Sequence, residues 1–199
     1  MSRGAAHTKK IRDERQEQIL NAALRLFATR GLSATKISDI AAEAGVSHGL
    51  VHHYFGSKDE IFVIIVEQAL QGSANLMQGA LLQTGTPWDR LQSLCEIMLQ
   101  GIVDRPEYVL LVIQISVNES IPEKARRLLE EYGALSTQYL ASLIQEGQDA
   151  GQVVDGDPVL LAETFAGCIQ GLAIGRFHGR TAGDQHLPDS QILLRLFKA

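Results

Sequence analysis

Two cysteines, five prolines and 6% aromatic residues are few for a chain of 199 residues. Cys95 and Cys168 are isolated, so no disulfide framework is available, and both thiols are expected reduced and buried, as in a cytoplasmic protein. No apolar run approaches the about 20 residues that a membrane helix needs, so no span is expected. The first twelve residues carry Lys9, Lys10 and Arg12 but no apolar stretch, and no secretory signal is expected. No glycine-rich phosphate loop and no serine nucleophile elbow is read in the chain. Glu130-Glu131 share a helix with Arg126 and Arg127, the pattern of a solvated, salt-bridged face. Asp155-Gly156-Asp157 offers too few oxygen ligands for calcium. No catalytic residue, metal or cofactor is therefore expected, and the chain is not read as an enzyme.

Basic charge is also scarce, with a net −5, until the chain is divided. Residues 1 to 60 hold nine Lys and Arg against seven Asp and Glu, and four of the six histidines. The remaining 139 residues hold nine against sixteen. A mildly basic head on an acidic body fits contact with a polyanion.

What is present is concentrated in residues 37–55. Ile37, Ile40, Ala41 and Ala44 recur at helical spacing, and Gly45 follows where a chain leaving a helix favours positive φ. Ser47 is placed to cap a second helix, with Val46 and Val51 as a hydrophobic staple around it. At about 100° per residue, Leu50, Val51, Tyr54 and Phe55 share one arc, while His48, Gly49, His52 and His53 share the opposite one. The first arc suits a core; the second offers three imidazoles around a glycine to base edges and phosphates. A helix of seven or eight residues is not stable alone, so its neighbours must hold it. This is a helix-turn-helix layout.

The neighbours are legible too. Ile19, Ala22, Ala23, Leu26 and Phe27 mark an amphipathic helix over 15–30, ending before Gly31. Ser57 and Glu60 form a capping box that opens a helix at residue 58. Lys58, in its first turn, opposes the helix dipole, so it reads either as a solvated lysine offset by Asp59 and Glu60 or as a phosphate contact. The basic arm before residue 13 reads either as a minor-groove arm or as a solvated tail. His48 and His52 have chelating i, i+4 spacing, but no acidic or cysteine partner stands nearby, and a metal would explain only two of the three histidines.

The spacing Ile19…Ala22-Ala23…Leu26-Phe27…Gly31…Thr35…Ile40-Ala41…Ala44-Gly45-Val46-Ser47…Gly49…Tyr54-Phe55…Ser57-Lys58 resembles the N-terminal signature of the TetR family of bacterial transcriptional regulators. One departure is His52, where the family often has tyrosine. The resemblance implies an all-α fold: an N-terminal three-helix DNA-binding domain with its arm over residues 1–57, and a larger helical effector-binding and dimerisation domain over 58–199. It implies a homodimer on a palindromic operator, most simply a repressor released by a small effector. The alternative is a helical ligand-binding or interaction protein that does not act on DNA.

The expected DNA contacts are Thr35, Lys36, Ser47, His48, Gly49, Leu50, His52, His53, Tyr54 and Lys58. Further helices are read over 58–78, 88–103, 106–117, 122–150, 157–178 and 189–197. The apolar run 108–115 would suit a strand by composition, but no second strand exists to pair with it. Trp88, Met98, Ile102, Ile113, Tyr139, Phe165 and Cys168 lie on helices that surround the effector cavity in the resembling family. The scarcity of buried charge candidates points to a lipophilic effector. Helix 157–178 mixes small and large apolar residues, and its glycines ask for a closely approaching helix. The resemblance implies that this helix and 189–197 form a four-helix bundle across a dimer axis, with Phe165, Gly167, Ile169, Gly171, Leu172, Gly175, Leu193 and Leu196 as the interface; the alternative is close packing inside one subunit.

Overall fold

Fold and packing come from a computed structural model that describes residues 3–118, 120–177 and 187–199, with side chains from residue 12 onward. The described chain is built of helices: α1 (Arg3–Ala34), α2 (Ile37–Glu43), α3 (His48–Tyr54), α4 (Lys58–Leu82), α5 (Pro87–Asp104), α6 (Pro106–Val117), α7 (Glu123–Asp149), α8 (Pro158–Phe177) and α9 (Ser190–Leu194). One isolated antiparallel bridge, Val153 to Lys198, ties the C-terminal residues to the loop after α7. The run 108–115 is helix, as its lack of a partner strand required. Residue 178, the end of the helix read over 157–178, lies outside the described residues.

Two expectations are corrected. Residues 3–12 are not extended as an arm would be, because α1 begins at Arg3. A helix 10–12 Å across does not enter a minor groove about 6 Å wide. Helix α8 has the length and composition of a membrane span, with mean hydropathy 1.4 over an 18-residue window, although its sequence carries Glu163 and Arg176.

Helix ends follow local chemistry. Gly45 has φ 64°, with Val46 N–H donating to Ala41 O at 3.0 Å and Gly45 N–H to Ala42 O at 3.1 Å, a Schellman ending for α2. Ser47 Oγ accepts from Leu50 N–H at 3.2 Å and starts α3. Ser57 Oγ accepts from Glu60 N–H at 3.1 Å, while the Glu60 carboxylate reaches back to Gly56 N–H rather than to Ser57.

Two apolar cores result. The first gathers Ile19, Ala22, Ala23, Leu26 and Phe27 of α1 with Ile40, Val51, Phe55, Ile61 and Phe62. It also draws Leu111, Ile115, Ala125 and Leu128 from α6 and α7, so head and body share it. The second lies among α5, α7, α8 and α9 around Leu94, Ile102, Ile144, Phe165 and Phe197. Helix α4 serves both, with Ile61 to Leu70 in the first and Met77 and Ala80 in the second. Cys95 is buried in the second core, and desolvation, reinforced by Glu96 and Asp189, pushes its thiol up to about 11. Arg90 is buried there too, donating to Leu81 O at 2.6 Å and pairing with Glu146, which fastens the end of α4 to α5 and α7.

Two glycines of α7 give opposite expectations. A Cβ at Gly147 would overlap the side chain of Val153, whereas one at Gly133 meets nothing within 4 Å. Gly147→Ala should therefore cost about 1–3 kcal/mol as overpacking. Gly133→Ala should stabilise by about 0.5–1 kcal/mol through helix propensity. Thermal midpoints of the two variants, moving in opposite directions, check this.

Candidate nucleic-acid interface

Helix α3 is seven residues long and divides as its wheel requires. Val51 and Phe55 are 0% and 2% exposed, and Leu50 and Tyr54 are half-buried. His48, Gly49, His52 and His53 are exposed on the other side. The His48 and His52 rings meet edge to face at 4.6 Å between centroids, and His53 leans on Tyr54 at 5.5 Å. Gly49 has nothing within 4 Å of where a Cβ would stand, so the helix surface between the imidazoles is open to an incoming backbone or base edge.

The face is held in place from behind. Gln18 Nε2 donates to Ala44 O at 2.6 Å, pinning the turn to α1. Arg25 Nε meets Glu43 Oε1 at 2.9 Å, tying α1 to the end of α2. Neither link was legible in sequence, since the partners stand 26 and 18 residues apart. Lys36 and Ser47, at the starts of α2 and α3, are exposed as the histidines are.

Thr35 and Lys58 do not join the histidine face. Thr35 is 0% exposed, and its hydroxyl donates to Gly31 O at 2.8 Å inside the turn after α1. Lys58 Nζ turns back and donates to Leu32 O at 2.7 Å and Thr35 O at 2.9 Å. An ammonium on carbonyls freed at a helix end is favourable on both hydrogen-bond and dipole grounds. The phosphate role expected of these two side chains is replaced by an internal one.

Contrary to expectation, Gly45-Val46-Ser47-His48-Gly49 carries the letters of a Gly-x-Ser-x-Gly elbow. The required setting is a strand entering a sharp turn. Here a helix enters it, and Ser47 serves as a helix cap. Among the described residues, no group of three or more His, Cys, Asp and Glu is arranged to hold a metal ion.

The expected effector residues lie in or around the second core. Ile102 and Phe165 are sealed, the latter with its ring 5.7 Å from that of Phe197. Trp88, Met98, Ile113, Tyr139 and Cys168 pack half-buried around them. Tyr139 OH accepts from Gln78 Nε2 at 3.3 Å, and Lys198 Nζ stands 5.6 Å from the centre of the Trp88 ring. None of the seven lines either of two surface grooves, one of about 590 Å³ among α1, α4 and α6, the other along α7 and α8.

Of the expected interface residues, Gly167, Gly171 and Leu196 are exposed, Leu172 and Gly175 half-buried. Phe165, Ile169 and Leu193 instead turn into their own subunit's core at 0%, 4% and 6% exposure, a correction to that set.

Lys58 separates the two readings of its charge. Lys58→Met should lower the thermal midpoint, since two charge-assisted bonds are each worth about 1.5–3 kcal/mol. It should leave the dependence of duplex affinity on salt unchanged. A salt slope reduced by about one, at an unchanged midpoint, would restore the phosphate role.

With this geometry in hand, similarity to known proteins is informative. The family model for bacterial regulatory proteins of the tetR family matches residues 19–64. The HTH-type transcriptional regulator BetI of Agrobacterium fabrum is 31% identical over 150 residues, covering 74% of this chain and 73% of its own. The HTH-type transcriptional regulator YfiR of Bacillus subtilis is 30% identical over 160 residues, covering 79% and 77%. Among solved structures, a transcriptional regulator from Saccharomonospora viridis in complex with choline superposes with TM-score 0.74 at 26% identity, covering 92% and 94%. The MbdR regulator from Azoarcus sp. CIB reaches TM-score 0.81 at 24% identity, covering 92% and 96%, a likeness of fold. A helix-turn-helix with its histidine face outward, the family signature on residues 19–64 and relatives of this identity together place the chain: it belongs to the TetR family of bacterial regulatory proteins and is a DNA-binding transcriptional regulator.

Proposed function

We propose that the chain is a cytoplasmic homodimeric repressor. Its head, residues 1–57, reads a palindromic operator, and its body, residues 58–199, releases the operator when a small lipophilic effector enters the second core. The observation that carries the reading is the two-sided α3, with Val51 and Phe55 sealed while His48, His52 and His53 stand in solvent. Neutral imidazole both donates and accepts, which suits base edges, and protonated imidazole suits phosphate. Lys36 and Ser47, exposed at the starts of α2 and α3, supply backbone contacts. The chain is read as a binding protein and not an enzyme, because its relatives bear the names of regulators.

Dimerisation is supported by an apolar face that the single chain leaves open. Leu160 is 61% exposed, and Gly167 and Gly171 continue its stripe along α8. A Cβ on either glycine would meet nothing within 4 Å. Ile192 and Leu196 at the C-terminal end are 57% and 63% exposed. A stripe of small residues beside large ones lets a second helix approach closely, so we assign the apolar length of α8 to a partner subunit and not to lipid. The second core suits a lipophilic effector because Arg90 is the charged residue buried within it, and Arg90 is already paired.

Selection of bound duplexes from a random pool should return a palindrome. His48→Ala with His53→Ala should weaken binding to that duplex at least tenfold, a base contact being worth about 1–3 kcal/mol. The thermal midpoint and helicity should be unchanged; unchanged affinity would sink the reading. Leu160→Glu with Leu196→Glu should give monomers by light scattering and remove the advantage of the palindrome over one half-site. A dimer that survives both charges contradicts the assigned interface.

A further inference from the structure

The C-terminal end of α1 is a junction between head and body. Its helical dihedrals break at Gly31 (φ 78°, ψ 166°). Side chains from two other helices bond to carbonyls on either side of that break. Lys58 of α4 holds the carbonyls of Leu32 and Thr35. Gln114 of α6, half-buried, donates from Nε2 to Ala28 O at 2.7 Å, across 86 residues of sequence.

Around Gln114 the packing is apolar: Leu111 and Ile115, on either side of it, lie in the first core with Leu24, Phe27 and Leu32. Apolar contacts are non-directional and tolerate small sliding. A hydrogen bond weakens steeply as its angle falls. Gln114, together with Lys58, therefore supplies the directional contacts at this junction, and Gln114 is the one that comes from α6.

We propose that Gln114 is a positioning residue, fixing the setting of the reading head on the body and thereby the half-site spacing that the dimer accepts. The inference rests on the dimeric, palindrome-reading assignment above. One added base pair turns a half-site by about 34–36° and moves it 3.4 Å. Discriminating such a step requires a head that does not swivel. A leucine at position 114 would fill similar space with no donor, whereas a lysine would keep both donor and reach.

The test uses the full chain and the palindrome recovered by selection, with its spacer changed by −2 to +2 base pairs. The wild type should lose at least tenfold in affinity for a one-base-pair change. Gln114→Leu should flatten that loss to threefold or less. Its affinity for a single half-site duplex should stay at the wild-type value, while its thermal midpoint falls by only the few degrees that one lost hydrogen bond costs. Gln114→Lys should restore the wild-type spacing profile, which a packing role alone would not do. A Gln114→Leu profile identical to wild type overturns this inference alone. A wild type indifferent to spacing overturns it together with the dimeric reading.

Discussion

The sealing of Val51 and Phe55 is the constraint from which the rest follows. A seven-residue helix does not persist in water on its own, and α3 is held by those two side chains, by the Ser47 cap and by the turn at Gly45. Because the pair is fully inside the first core, the rotation of α3 about its axis is fixed, and His48, His52 and His53 have no direction left but outward. Specificity for a DNA sequence thus begins as a packing problem. On the proposed reading, the histidines are held in place by the burial of the residues at their backs.

That core is not private to the head. Leu111 and Ile115 of α6 and Ala125 and Leu128 of α7 fill it together with α1, and α4 runs from it into the second core. On the proposed function, a rearrangement around Ile102 and Phe165 would reach the first core along α4 and α6, which contribute to both cores. Linkage sets the scale: an effector can weaken DNA binding by no more than its own difference in affinity for the two settings. The buried Arg90, bonded to Leu81 and Glu146, stiffens that route where α4 ends.

Features resting on neighbours in sequence were legible: the helical positions of Ile19 to Phe27, the glycine at 45, the caps at Ser47 and Ser57, and the two arcs of α3. Each is a local pattern with a local cause. Contacts between distant residues were not. Nothing near Thr35, Lys58 or Gln114 announces that the first folds into its own turn, or that the others reach helix ends 26 and 86 residues away. Helix α8 failed differently. It is apolar on nearly every side, so its composition marks close packing without saying which face meets which neighbour. Gly167 and Gly171 lie outward, while Phe165 and Ile169 lie inward. The expected effector residues gathered in and around the second core, but no local sequence pattern says which of them face one another.

The most direct measurement is nuclear magnetic resonance of the imidazole groups during titration with the selected operator duplex. The account expects the ring signals of His48, His52 and His53 to shift and to show intermolecular contacts with DNA protons, while the Val51 methyls keep their contacts within the protein. Histidine signals that stay unmoved, with DNA contacts appearing on another surface of the chain, would contradict it.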